Sequence, residues 1–154
     1  VEFDEEGGLR INLPSRILFD TASADLKSDA FPVLEDIGTV LKDLPNANIE
    51  IYGHTDSRPL TGGGEFKDNY HLSYGRAKSV TDFLHLRSEI PMKGFEVVAC
   101  GPSQPIATNE TEEGMQANRR VEIYVRGDLS EETTEDLRRA IEVLDEGVEE
   151  QSQQ

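Results

Sequence analysis

The chain has 154 residues and a formal net charge of −16, with 36% hydrophobic and 30% charged residues. This length favours one domain with a substantial core, and so acidic a surface argues against nonspecific binding to nucleic acid or anionic lipid. Residues 128–154 carry a net charge of −8, as do the 127 residues before them. We therefore expect a domain at 1–127 and an acidic helix and tail at 128–154.

Membrane and disulfide signals are missing from the sequence. It contains neither an apolar run of the roughly 18 residues that a membrane span needs nor a signal peptide. Cys100 is the only cysteine, and its apolar neighbours predict a buried thiol without an internal disulfide. The chain begins at Val1 rather than Met, so we expect it to be an excised piece of a longer protein.

The first elements follow from apolar spacing. Residues 9–13 alternate as a half-buried strand, and the apolar stretch continues at 17–19. Ser28 precedes a helical pattern with Pro32 in its first turn, where the missing N–H costs nothing, and residues 45–46 end that helix.

The later elements alternate between strands and helices. In order they are a strand at 49–52, a loop at 57–69, a helix capped by Ser73, a strand at 95–100, a polar loop at 103–118, a strand at 121–125 and a helix from about Glu131. This β-α-β-α-β-β order with a final helix predicts an α/β (α+β) fold, in which helices pack on a sheet.

The last helix has an apolar seam. Four apolar residues form it, and they are separated by 4, 3 and 4 positions: Leu137, Ile141, Leu144 and Val148. Two interpretations fit: an amphipathic helix that packs on its own domain, or a seam between two copies of the chain.

Asp56 and Arg76 are the most informative pair. Asp56 follows the end of a strand, where α/β sheets place ligand-binding residues. Arg76 would lie in the first turn of the helix capped by Ser73, where the helix dipole favours an anion. A guanidinium there would bind a carboxylate and Asp56 a cation, which suits the zwitterionic head of an amino acid. The alternative is that the two residues only pair with each other.

Catalytic and metal sites are not indicated. His54, His71 and His85 lack zinc-ligand spacing, and His54 is expected to fix a loop by hydrogen bonding. Phosphate-binding glycine motifs and serine-nucleophile motifs are missing, so we predict no enzyme activity, no cofactor and no metal.

Three motifs together resemble the OmpA-like peptidoglycan-binding domain. They are Gly53-His54-Thr55-Asp56, Asn69-x-x-Leu72-Ser73-x-x-Arg76-Ala77 and Asn118-Arg119-Arg120-Val121-Glu122-Ile123. They occur in the family's order and span most of residues 9–127. The resemblance implies a mixed sheet with helices packed on it.

The resemblance also implies a ligand, the diaminopimelate residue in the peptide stem of the bacterial cell wall. Asp56 would bind its ammonium and Arg76 its carboxylate, while Thr55, Asn69 and Leu72 would line the site. Arg120 would be a ligand or supporting residue. Asn118 would shape the adjoining loop.

Within the family, the loop after Asp56 is similar to that of MotB-type flagellar stator proteins. It is long, contains Pro59 and ends at Asp68-Asn69-Tyr70. That similarity implies a periplasmic domain of an inner-membrane-anchored protein that dimerises, works with a stator partner and grips peptidoglycan. An OmpA-like envelope protein or lipoprotein without a motor role is the alternative. Met115 departs from the family, which has Arg there, and the acidic tail is also atypical.

Overall fold

The computed structural model describes residues 1–3, 7–61, 63–127 and 129–152. The strands are β1 (Glu2–Phe3), β2 (Leu9–Pro14), β3 (Asn48–His54), β4 (Phe95–Gly101) and β5 (Arg120–Arg126). The helices are α1 (Ser15–Leu18), α2 (Phe31–Leu41), α3 (Asn69–Ser88), α4 (Glu112–Asn118) and α5 (Glu131–Ser152). Short 3₁₀ turns lie at Ser28–Ala30 and Met92–Gly94.

The described strands form one mixed sheet in the order β1-β2-β5-β3-β4. β3 and β4 are parallel and are connected through α3, as a parallel pair requires, whereas the other neighbours are antiparallel. β5 pairs with both β2 and β3, so that Ile123 lies opposite Ile11 on one side and Ile51 on the other. The predicted fold class is confirmed, and so are the predicted strands at 9–13, 49–52, 95–100 and 121–125.

One continuous core joins the sheet to the helices. Alternate residues of β2, β3 and β5 are buried together with the apolar faces of α2, α3 and α5. Hydrophobic burial of this kind contributes about 25 cal/mol per Å² and is the main stabilising term. The strand alternation that predicted these elements therefore also identifies the sheet face that meets the helices.

The seam of α5 packs within the chain. Leu137 is fully buried, and Ile141 and Leu144 are partly buried against the same core, where α5 contacts α2. Packing on its own domain is thus the interpretation that these three residues support. The side chain of Val148 lies outside the described residues.

The predicted start of the second long helix was wrong. α3 begins at Asn69, and its N-cap is Asp68, whose side chain accepts a hydrogen bond from the His71 N–H at 2.9 Å. Ser73 lies inside the helix, where its hydroxyl donates to the Tyr70 carbonyl and accepts from the Gly101 N–H. Ser and Asp are both common N-caps, so residue type alone did not separate them.

Three local features differ from or add to the sequence-based expectations. The apolar stretch at 17–19 is not a strand, because α1 occupies Ser15–Leu18 and Phe19 forms an isolated bridge with Leu26. The polar segment 103–118 is not all loop, since Thr111 caps α4 through a hydrogen bond from Gly114. The edge strand β1 was not predicted; two exposed residues carry no periodic signal.

No helix in the described ranges is both long and apolar enough to cross a bilayer.

Candidate functional site

A cavity of about 680 Å³ opens where the segment after β3 meets α1, α3 and α4. Five of the six predicted site residues line it: Thr55, Asp56, Asn69, Leu72 and Arg76. Further residues from the α1–α2 connection, the 57–68 loop and α4 complete the wall, among them Phe19, Asp20, Lys27, Arg58, Glu112 and Arg119. Segments that are distant in sequence thus converge on one pocket.

Asp56 is a buried carboxylate held by two arginines. Its Oδ1 accepts the Arg58 N–H at 2.9 Å, and its Oδ2 lies 3.0 Å from Arg58 Nη2 and 2.5 Å from Arg119 Nη1. Burial opposes ionisation of Asp56, but the hydrogen bonds from Arg119 and Arg58 outweigh it and hold its pKa below the ordinary value. The site therefore presents a carboxylate at neutral pH.

Arg76 is a buried cation held by neutral groups. Its Nε donates to the Ser23 carbonyl at 2.8 Å and its Nη2 to the Asp20 carbonyl at 3.1 Å. Its guanidinium carbon lies 5.1 Å from the centre of the Phe19 ring. Burial, followed by the charge of Arg119, lowers the pKa of Arg76 to about 10, so the side chain stays charged at pH 7.

The two predicted residues share the cavity without pairing. Among the described residues, the ion-pair partners of Asp56 are Arg58 and Arg119, and Arg76 forms no ion pair. The alternative that Asp56 and Arg76 merely neutralise each other is therefore wrong. Arg76 also lies about two turns after Asn69 rather than in the first turn, so the helix dipole is not what shapes its environment.

Arg120 does not line the cavity, whereas Arg119 does. Arg120 is 3% exposed, donates to the Asn118 carbonyl at 3.0 Å and lies 3.2 Å from Glu122 Oε1. The alternation of side chains along a strand explains the difference. Arg119 lies two positions before the core-facing Val121 and shares its face of the sheet, whereas Arg120 lies two positions before Glu122 and shares the opposite face. That alternation is the sequence signal that could have identified Arg119.

The pocket walls are fixed by side-chain amides. Asn69 Nδ2 donates to the Arg58 carbonyl at 2.9 Å, which ties the 57–68 loop to the start of α3. Asn118 Oδ1 accepts the N–H groups of Ile106 and Ala107 at 2.8 and 2.9 Å. The prediction that Asn118 shapes its loop is confirmed, and of the two amides it is Asn69 that holds a loop lining the cavity.

His54 belongs to a buried polar cluster behind the pocket. Its Nε2 lies 2.6 Å from Glu122 Oε1, and burial opposes the ionisation of Glu122 while His54 and Arg120 keep its pKa below the ordinary value. Cys100 is buried, as predicted, and burial raises the pKa of its thiol. In the part of the chain that the structure describes, no three His, Cys, Asp or Glu side chains form a metal-binding group.

Comparison with known proteins supplies the family. The OmpA family profile matches residues 18–119. Motility protein B of Bacillus subtilis is 35% identical over 128 residues, which cover 83% of this chain and 49% of that protein. The structure of the periplasmic domain of Helicobacter pylori MotB matches with a TM-score of 0.70 at 30% identity, covering 91% of this chain and 93% of that one.

A structure from a different assembly is equally similar. The cell wall anchor of the T6SS from Pseudomonas aeruginosa has a TM-score of 0.73 at 30% identity, covering 79% of this chain and 82% of that one. The present chain spans about half the length of the curated relatives that it matches. The matched family region includes both Asp56 and Arg76. The chain belongs to the OmpA family, and periplasmic domains of MotB are among its homologues.

Proposed function

We propose that the cavity binds the free amino-acid end of diaminopimelate in the peptide stem of peptidoglycan, without catalysis. The observation that carries this proposal is a buried carboxylate, Asp56, and a buried guanidinium, Arg76, that line one cavity and do not pair with each other. An ammonium would lie on Asp56 and a carboxylate on Arg76. Thr55, Asn69 and Leu72 would contact the rest of the head.

Arg76 retains the donors that such a ligand needs. A guanidinium has five N–H donors. Among the described residues, the Ser23 and Asp20 carbonyls accept from Nε and Nη2. The Nη1 end is thus available to a ligand carboxylate, and charge-assisted hydrogen bonds of this kind are about twice as strong as neutral ones. The Ser23 and Asp20 carbonyls thereby fix the orientation of the Arg76 guanidinium.

The biological role that we propose is anchoring of a membrane protein to the cell wall, as a MotB-like component of the flagellar stator. The similarity to motility protein B and to the MotB periplasmic domain supports this role and a periplasmic location. A wall tether without a motor role is the second candidate, favoured by the equal similarity to the T6SS cell wall anchor. Residues preceding Val1 in the full-length protein would separate the two, because a membrane helix with a proton-carrying Asp indicates a stator.

The proposal also includes a second copy of the chain and a stator partner, as in MotB-type proteins. Because Leu137, Ile141 and Leu144 pack within the chain, the dimer contact would use another surface. Sedimentation equilibrium of this chain should show a species of twice 17.1 kDa. Sedimentation as a monomer at high protein concentration would remove the dimer from the proposal without affecting the ligand site.

Retention on insoluble peptidoglycan tests the ligand proposal. We expect Asp56→Asn and Arg76→Lys each to weaken binding at least about thirtyfold. Asp56→Asn removes the charge that would hold the ligand ammonium, whereas Arg76→Lys stays cationic but loses the planar fork of donors that can bond the Ser23 and Asp20 carbonyls and a ligand carboxylate together. Asp43→Asn and Arg138→Lys are the matched controls, since both residues are exposed and outside the cavity. Circular dichroism establishes that the variants fold. Native-like retention of a folded Asp56→Asn, Arg76→Lys double variant would refute the site.

Arg58 should act as an internal competitor of the ligand. Its side chain is 57% exposed and lies 3.0 Å from Asp56 Oδ2, where a ligand ammonium would bind. We expect Arg58→Ala to tighten the binding of free meso-diaminopimelate about threefold, the size of an exposed ion pair. Calorimetric titration measures this change. Arg87→Ala, which removes an equally exposed arginine from an ion pair with Glu35, should change nothing. Weaker binding by Arg58→Ala would mean that Arg58 contacts the ligand instead.

A further inference from the structure

The cavity is positively charged within a strongly acidic chain. Its lining contains five cationic side chains and three carboxylates, although the whole chain has a net charge of −16. The cations are Arg16, Lys27, Arg58, Arg76 and Arg119, and the carboxylates are Asp20, Asp56 and Glu112. A local excess of positive charge is where an anionic ligand is attracted and held.

Two of the carboxylates are already engaged by two of the arginines. Arg119 bonds to Asp56 at 2.5 Å and to Glu112 at 2.7 Å, and Arg58 contacts the same two carboxylates at 3.0 and 3.5 Å. This four-residue cluster is internally neutral. Outside this cluster, Arg76 and Lys27 form no ion pair among the described residues and together exceed the one remaining carboxylate of the lining, Asp20. Lys27 lies on the side of the cavity formed by the segment that follows α1.

Lys27 is the cation of that side whose environment is clearest. Its Nζ donates to the Arg16 carbonyl at 3.3 Å, and no carboxylate of the described residues lies within ion-pair distance of it. Its backbone N–H donates to the Leu18 carbonyl at 2.8 Å, next to the Phe19–Leu26 bridge. An ammonium has three donors, so two remain for a ligand. Lys27 is thus a fixed, half-buried cation with unused donors at the cavity wall.

A zwitterionic amino-acid head cannot balance this excess, because its own net charge is zero. The cavity is also large enough for more than one residue, since pockets of about 300–1,000 Å³ hold drug-sized ligands. The loop that contains Asp20 and Ser23, whose carbonyls orient Arg76, leads directly to Lys27. The head-binding cation and Lys27 therefore belong to one continuous wall.

From this arrangement we infer that Lys27 forms a second anion subsite, which binds a carboxylate of the stem peptide other than that of the diaminopimelate head. The inference rests on the proposed function and deepens it. The ligand class becomes an acidic stem peptide with a free second carboxylate, and a stem in which that carboxylate is amidated binds more weakly. Lys27 is then a specificity-determining residue, and Asp56 and Arg76 supply the affinity common to both stems.

Two synthetic muramyl tripeptides provide the test, one with D-isoglutamate and one with D-isoglutamine before meso-diaminopimelate. By calorimetric titration we expect the native protein to bind the acidic peptide about fivefold more tightly, as one partly buried ion pair allows. Lys27→Gln should remove this preference by weakening only the acidic peptide, while Lys27→Arg should keep it. Lys42→Gln, an exposed lysine outside the cavity, should behave as the native protein does.

The outcomes separate this inference from the proposed function. If the native protein binds both peptides equally, or if Lys27→Gln weakens both equally, the second subsite is refuted and the diaminopimelate site stands. If the native protein binds neither peptide, the proposed function itself is wrong. Asp56→Asn should weaken both peptides by the same factor, which distinguishes loss of the head site from loss of the second subsite.

Discussion

Replacing Gly53 with alanine should destabilise the protein by about 3 kcal/mol, at the upper end of overpacking effects. A Cβ at this position would lie 2.1 Å from the Ser73 carbonyl oxygen, and the atom that it meets is backbone rather than a flexible side chain. β3 and α3 would have to separate to admit it. Because β3 leads to Asp56 and α3 carries Arg76, the separation would also distort the proposed ligand site.

Urea denaturation followed by circular dichroism measures this effect. Gly64→Ala is the matched control, since a Cβ there has no atom within 4 Å and the backbone does not require glycine. We expect the free energy of unfolding of Gly64→Ala to stay within about 0.5 kcal/mol of the native value. An unfolding free energy of Gly53→Ala that matches this control would show that β3 and α3 are not packed as closely as described.

Truncating Leu137 to alanine should cost a similar amount, about 3 kcal/mol, from lost burial and the cavity that remains. Leu137 is fully buried where α5 packs on α2, although it lies in the most acidic part of the sequence. We expect the midpoint of thermal unfolding to fall by roughly 10 °C for a chain of this size. The neighbouring Arg138→Ala changes an exposed residue and should have little effect.

The same variant distinguishes the two interpretations of the α5 seam. If α5 stabilises its own domain, the loss of stability does not depend on protein concentration. If the seam joined two copies, Leu137→Ala would instead change the sedimentation behaviour and leave the thermal midpoint of the dilute protein unaltered.

Regular periodicity made most of the fold predictable. The strands at 9–13 and 121–125 alternate cleanly because one face of each packs in the core and the other does not. The helical spacing of apolar residues between 137 and 148 predicted α5, which begins at Glu131, and the buried position of Leu137. The two motifs that contain Asp56 and Arg76 occur in the order typical of the family, and both residues line the cavity.

The contacts within the site were less predictable, because they depend on tertiary positions that no local pattern encodes. Choosing Ser73 over Asp68 as the N-cap shifted the start of α3 by one turn or more and placed Arg76 in the first turn, under the helix dipole, rather than against the Ser23 and Asp20 carbonyls. That choice of N-cap was between two common capping residues five positions apart, which only the packed structure distinguishes. Arg120, predicted as a ligand or supporting residue, lies outside the cavity lining and bonds to Asn118 and Glu122, whereas the neighbouring Arg119 lines the cavity, a difference that strand alternation could have indicated.

Overall charge composition is a poor guide to the site. A net charge of −16 argues against nonspecific binding to anionic polymers, yet the cavity lining has more cations than carboxylates. The average fails because the acidic residues are distributed over the surface, and half of the excess lies in residues 128–154. Under the proposed function, recognition of an anionic polymer by this chain would depend on local rather than overall charge.

The position of β5 in the sheet has a consequence for biosynthesis. Among the strands of the described sheet, β5 comes last in sequence, and it supplies the ladder partner of both β2 and β3, which precede it by roughly 110 and 70 residues. A ribosome that has not yet released residue 126 therefore holds β2 and β3 without the strand that joins them. Arg119, which bonds to Asp56, belongs to the same late segment, so the nascent chain completes the cavity only when its sheet closes.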